Sequence, residues 1–160
     1  MVDVTESPVE RPKYRQQRWY SGKKKRHTIK TQIVICARTK QIIAVFFDCG
    51  RTHDLKMWKK SIGVKVVKHI KIQGDSGYQG IAKLHHNSET PKKKSKKQPL
   101  SKEDRANNRR IGSERVSVEH VNRWLKRLRI IAERYRNRRR RFGLRVSLFC
   151  GLHNFELANH

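Results

Sequence analysis

The sequence predicts a single α/β domain with a mixed sheet flanked by helices. Short apolar runs rich in β-branched and aromatic residues occupy the first half of the chain. A long stretch with three- and four-residue apolar spacing occupies the second half. The first two strong runs are joined by a hairpin-sized connection, and helices follow, which is an α/β order with a mixed sheet. At 160 residues the chain supplies one core and hardly two.

Residues 1–5 alternate apolar and polar, as a half-buried strand does, and Pro8 and Pro12 are expected to end regular structure behind them. Residues 13–26 read as a basic loop carrying Tyr14, Trp19 and Tyr20. Base stacking and packing beside the hairpin are both open to Trp19 and Tyr20. Thr28–Ala37 and Gln41–Phe47 are too short for buried helices and read as strands, with Arg38, Thr39 and Lys40 between them as a hairpin connection. Apolar residues on both faces of each run imply central strands covered on both sides.

Thr52, His53 and Asp54 are expected to cap a short helix to about Ser61, with Leu55 and Trp58 inward. Val64 to Ile72 alternates against basic residues and reads as a further strand region. Gly74 to Gly80 is a turn, followed by a short helix to about His86. Residues 87–100 read as a loop, with five lysines and one serine from Lys92 to Lys97. Ser101 is placed as a helix N-cap, with Asp104 three residues on. From Lys102 to about Glu133, Val118, Val121, Leu125, Leu128 and Ala132 form one apolar stripe, with Gly112 a point of interruption. Arg134 to Arg141 is almost wholly basic; Gly143 breaks the run, and a last apolar helix covers Val146 to Leu157.

Charge restricts function more than hydropathy does. Lys and Arg number 40 against 13 Asp and Glu, a formal net charge of +27. Such a field costs self-repulsion, which a nucleic acid offsets because each neutralised phosphate releases a counterion. DNA is the expected partner, and an anionic membrane surface the weaker one. No apolar stretch reaches spanning length, and the polar, acidic N-terminus does not read as a signal peptide. Cys36, Cys49 and Cys150 are odd in number and widely spaced, with no Cys-x-x-Cys, and no set of them with His85, His86 and His153 has the usual zinc-ligand spacing. They read as reduced core cysteines of a cytosolic protein, not a disulfide frame or a zinc site.

A carboxylate beside a DNA groove repels the ligand unless a cation lies between them. Asp3 lies on the first strand, on the face opposite Val2 and Val4. Asp75 follows a buried strand in a Gly-rich turn, and Glu119 lies on the long helix. At 3.6 residues per turn Lys126 falls within about 20° of Glu119 around the helix axis, and Arg115 within about 40°. One helix face thus offers a carboxylate for metal and two cations for phosphate. Plainer roles stay open at each position. Asp3 can be an ordinary terminal acid, Asp75 a turn aspartate bonded to its own backbone, and Glu119 a helical partner of Arg115 or Arg123. Glu114 rivals Glu119, and Arg115 and Lys126 can be solvated helix charge. Asp48 and Asp54 follow a strand, from where an approach to the metal is open to them, but read rather as capping or loop residues, and Lys92 to Lys97 as a solvated loop.

Five blocks, in order, resemble the catalytic domain of DDE-superfamily insertion-sequence transposases, especially the branch related to Harbinger-type elements. They are Asp3 to Pro12, Tyr20 to Thr28, Gly50 to Asp54, Gly74 to Gly80, and the Arg-x3-Glu-x6-Lys pattern of Arg115, Glu119 and Lys126. Gly112 stands where that signature usually has Tyr, and only Met1 and Val2 precede Asp3 where the family has a longer strand. The chain is therefore expected to be one catalytic domain over residues 1–160, lacking the DNA-end-reading domain that the family carries before it. It resembles the second half of a split or frameshifted gene, or a truncated copy.

The resemblance implies a ribonuclease-H-like fold. It implies that Asp3, Asp75 and Glu119 are catalytic and hold two Mg²⁺ (or Mn²⁺) ions. The implied reaction is hydrolysis at the transposon end, then attack of the freed 3′-hydroxyl on target DNA. DNA contacts are expected from Arg115, Lys126, Lys23, Lys24, Lys25, Arg26, Arg136, Arg138, Arg139 and Arg140. A homo-oligomer on paired ends, a partner encoded by an upstream reading frame, and a cytoplasmic, nucleoid-associated place in a bacterium follow by family. The alternatives are a decayed, inactive fragment that acts only as a basic DNA-binding protein, and an RNA-binding or ribosomal protein.

Overall fold

The computed structural model describes residues 1–61, 65–95 and 99–159. β1 (Val2–Pro8), β2 (Tyr20–Ser21), β3 (Arg26–Ile35) and β4 (Ile42–Cys49) form an antiparallel four-stranded sheet. β3 is central: β1 runs along one edge of it, and β2 and β4 share the other. A short helix, α1 (Gln16–Trp19), precedes β2, and α2 (Asp54–Lys60) follows β4. β5 (Ile72–Gln73) pairs in parallel with β6 (Ser88–Glu89) in a separate two-stranded ribbon. Then come α3 (Lys102–Arg127), α4 (Arg129–Ala132) and α5 (Phe142–Ala158). The expected α/β architecture is present, with its parallel pairing in the small ribbon and not in the main sheet.

Alternation along β3 makes two cores. Ile29, Ile33 and Ile35 face one way and join Val118, Val121 and Leu125 of α3 and Phe142, Val146 and Cys150 of α5. Val34 faces the other way, with Val2, and joins Trp58 of α2, Ile72, Tyr78 and Ile81. Helices therefore cover both faces of the central strand. β4 departs from the expectation of full cover: it is the outer strand, most of its residues are half-buried, and Ile43 is exposed.

Several local expectations shift for physical reasons. β1 runs on to Pro8, whose missing N–H is harmless at the end of an edge strand. Its carbonyl then accepts from Tyr135, and Val9 bridges to Tyr135. The alternation over 64–72 yields a strand only at Ile72–Gln73, because β6 offers two residues of partner; Val64 lies outside the described residues. Two 3₁₀ turns, Ser76–Tyr78 and Ile81–Lys83, stand in place of the short helix before His86.

α3 opens on a full capping box between Ser101 and Asp104 and passes through Gly112 without interruption. It ends at Leu128, whose extended backbone breaks the expected single helix in two, and Ala132 is exposed rather than part of the buried stripe. Gly143 lies inside α5 instead of before it. A Cβ there would sit 3.1 Å from the Phe47 ring, so the helix packs directly on β4.

Candidate active site

Asp3 stands opposite Ile33 in the β1–β3 register, which turns it toward α3 and away from Val2 and Val4. Its side chain is 18% exposed. Asn122 Nδ2 donates to one carboxylate oxygen at 2.7 Å, and Arg115 Nη2 donates to the other at 3.3 Å. Burial pushes the carboxyl above its ordinary pKa, Arg115 and Asn122 oppose that shift, and the charge of Asp75 adds to it. Asp3 is thus a desolvated acid whose charged form is favoured by two donors from one helix face, with burial the larger effect.

Asp75 caps the first 3₁₀ turn, its Oδ1 accepting from Gly77 N at 2.8 Å. That is the turn role open to it in the sequence, and it leaves the carboxylate near enough to act on Asp3. Asp54 crowds the same turn. A Cβ on Gly77 would meet Asp54 Oδ2 at 2.5 Å and Asp75 Oδ1 at 2.9 Å, so only glycine lets the two carboxylates approach. Lys30 balances the added charge, donating from Nζ to Asp54 Oδ1 at 2.7 Å and to the Thr52 carbonyl. His53, not Asp54, supplies the N-cap of α2.

Glu119 is exposed and lines, with Asp3, Thr5, Asn122, Arg123 and Lys126, a cleft of about 390 Å³. Asp75 does not line that cleft. Glu114 lies elsewhere, in a cleft shared with Met1, Lys71 and Gln73, where Gln73 and Arg110 donate to it and hold its carboxyl below the ordinary range. Arg115 faces Asp3 as an ion-pair partner. Lys126 stays exposed at the cleft. Asp48 is tied to Lys60 at 2.7 Å and to Cys49 N, which brings its pKa down to about 2 against the burial that opposes it.

Asn122 carries no functional signal of its own in the sequence. It lies seven residues past Arg115 and three past Glu119, on the same helix face, and the one clue is an amide interrupting an apolar stripe. Its Oδ1 is buried without a partner beside the Asp3 carboxylate. That orphaned oxygen, with Asp3 and Glu119, makes an all-oxygen donor set of the kind hard divalent ions take. Among the described residues no three His, Cys, Asp or Glu side chains close into a cage. An open cleft suits an ion that keeps part of its water shell.

Apart from Arg123 and Lys126, the basic clusters of the chain are placed outside this cleft. Lys23, Lys24, Lys25 and Arg26 are exposed in the turn into β3. Arg136, Arg138, Arg139 and Arg140 are exposed ahead of α5. Arg139 lies over the Trp19 ring, 4.6 Å from its centroid, which docks the arginine run on the basic loop. Cys36, Cys49 and Cys150 are unpaired; the latter two are buried and Cys36 is half-buried. No helix among the described residues is long and apolar enough to cross a membrane.

A family model described as DDE superfamily endonuclease matches residues 2–154. The chain belongs to this family. A relative named as the probable transposase for insertion sequence element IS702, from Microchaete diplosiphon, is 51% identical over 158 residues. That alignment covers 99% of this chain and 57% of the relative. This member of the DDE superfamily therefore spans less than two thirds of that protein's length. No solved structure matches it.

Proposed function

We propose that this chain is the catalytic domain of an insertion-sequence transposase, which cuts DNA and joins the freed strand to a target with Mg²⁺ or Mn²⁺. The observation that carries the reading is the meeting of Asp3, from the first strand, with Glu119, from a distant helix, in one cleft. The sheet with helices on both faces is read as ribonuclease-H-like. Transposon ends and target DNA are the partners, and a cytoplasmic, nucleoid-associated place follows from them.

Asp3, Asp75 and Glu119 would hold the ions, with Asn122 Oδ1 a neutral oxygen beside them. Divalent ions held by these residues would supply Lewis-acid activation of the attacking water or 3′-hydroxyl and would offset charge on the leaving oxygen. The protein's own groups do the rest. Arg115 and Asn122 each hold one oxygen of Asp3, fixing its orientation and opposing its protonation. Arg123 and Lys126 at the cleft attract the scissile phosphate. Lys23, Lys24, Lys25 and Arg26, with Arg136, Arg138, Arg139 and Arg140, grip the flanking backbone.

One observation favours a second reading, DNA binding without catalysis: Arg115 already neutralises Asp3. A single comparison separates the two. Wild-type protein is expected to nick a transposon-end duplex only with Mg²⁺, and Asp75→Ala to bind the same duplex without nicking it. Equal nicking by both proteins rejects the assigned site. Binding with no nicking by either favours the second reading.

A further inference from the structure

Arg115 is poorly satisfied where it sits. Its side chain is 11% exposed. Among the described residues, its one side-chain hydrogen bond is the 3.3 Å contact from Nη2 to Asp3, and its Nε is buried without a partner. A guanidinium has five donors, and burying one unpaired costs free energy. Arg110, on the same helix and more exposed, is bound to Asn107, Glu114 and Glu89. Asp3 is in the opposite condition, with a donor on each of its oxygens. A guanidinium and a divalent cation repel each other at a shared carboxylate, so Asp3 is a weakened ligand until Arg115 withdraws. We propose that Arg115 couples metal loading to DNA: it holds Asp3 while DNA is absent and moves to a phosphate when DNA enters. The inference rests on the reading of Asp3 and Glu119 as metal-holding residues.

Of the two donors on Asp3, Arg115 is the one that yields. Asn122 is neutral, buried, and 2.7 Å from its oxygen. It has no charge to set against a metal ion. The Arg115 contact is longer and carries a full positive charge. Glu119 is its neighbour one helical turn on, yet Arg115 pairs with Asp3. Glu119 is thereby left exposed at the cleft. A phosphate drawn in by Arg123 and Lys126 comes to lie beside Asp3, which lines the same cleft. It offers Arg115 a forked, two-bond contact in place of a single long one.

Each ligand then lowers the cost of binding the other. DNA takes the guanidinium away from Asp3, and a metal ion at Asp3 releases Arg115 for DNA. Such a coupling is reciprocal, and about tenfold is the size expected of it. Removing Arg115 separates this role from a purely orienting one. A residue that only orients Asp3 leaves a looser metal site when it is lost. A residue that competes for Asp3 leaves a tighter one, and takes the effect of DNA with it.

The test is the Mn²⁺ affinity of the whole chain, read from the electron paramagnetic resonance of free Mn²⁺ with and without a short DNA duplex. Ions held by the duplex itself are subtracted with Asp3→Asn protein. Wild type is expected to bind Mn²⁺ about tenfold more tightly with DNA than without it. Arg115→Gln is expected to bind Mn²⁺ about tenfold more tightly than wild type without DNA, and to gain nothing when DNA is added. Arg115→Met, which keeps an apolar stem at the buried position, replaces it if circular dichroism shows that Arg115→Gln is unfolded. Three results overturn the proposal while leaving the carboxylate site in place: a wild-type affinity that DNA does not change, looser binding in the folded variant, or a DNA effect that survives in it. Mn²⁺ bound by none of these proteins under any condition rejects the site itself, and the coupling with it.

Discussion

Asp3 is held between two opposing effects: burial favours its proton, and Arg115 with Asn122 favours its charge. Burial wins, so the folded state binds the proton more tightly than the unfolded chain does. The stability tied to Asp3 is then present below the ordinary carboxylate pKa and is lost as pH rises through the raised one. Asp3→Asn is expected to be at least as stable as wild type at neutral pH, with wild type gaining on it as pH falls. Urea midpoints across that range check this, and a variant less stable than wild type at neutral pH contradicts it. Asp3 was legible because its block follows it in sequence and its alternation with Val2 and Val4 sets its face. Asn122 was not, because an amide within a helical stripe reads as packing until its partner is known. The Lys30–Asp54 pair was hidden for a similar reason: 24 residues separate them, and only the strand-to-α2 connection brings them together.

α3 carries both candidate third carboxylates, and its pitch separates them. Glu119 shares the Asp3 cleft, while Glu114, five residues earlier, turns toward Gln73 and Arg110. Glu119→Gln is expected to reduce Mg²⁺-dependent nicking at least a hundredfold, on the order of the loss of a principal charge-stabilising group. Glu114→Gln is expected to stay within a few-fold of wild type. Nicking assays on folded samples of both decide it, and the reverse ranking contradicts the assignment. The helix itself was readable from its capping box and stripe. Its break at Leu128 was not, since the apolar spacing runs on through the residue where the backbone becomes extended. The strand expected over 64–72 failed in the other direction: alternation supplied a pattern, but pairing needs a partner, and β6 provides two residues.

At the scale of the molecule, two cores on one sheet position Asp3 and Glu119, and a net charge of +27 is the ground for the proposed polyanionic ligand. Both cores follow from β3, whose two apolar faces were visible in the sequence; that β4 lies at the edge was not, since its composition matches that of a central strand. DNA affinity is expected to fall steeply with salt. Replacing Arg136, Arg138, Arg139 and Arg140 with Gln should flatten the slope of log K against log salt by about 0.9 for each phosphate that is no longer neutralised. An unchanged slope removes that segment from the interface. The most direct measurement on the site itself is Mn²⁺ binding followed by electron paramagnetic resonance in the absence of DNA, because it needs no turnover. Wild type is expected to bind Mn²⁺ in a way that Mg²⁺ displaces, and Asp3→Asn and Glu119→Gln each to lose it while Glu114→Gln retains it. Binding that survives Asp3→Asn and Glu119→Gln unchanged would contradict a shared carboxylate site in that cleft.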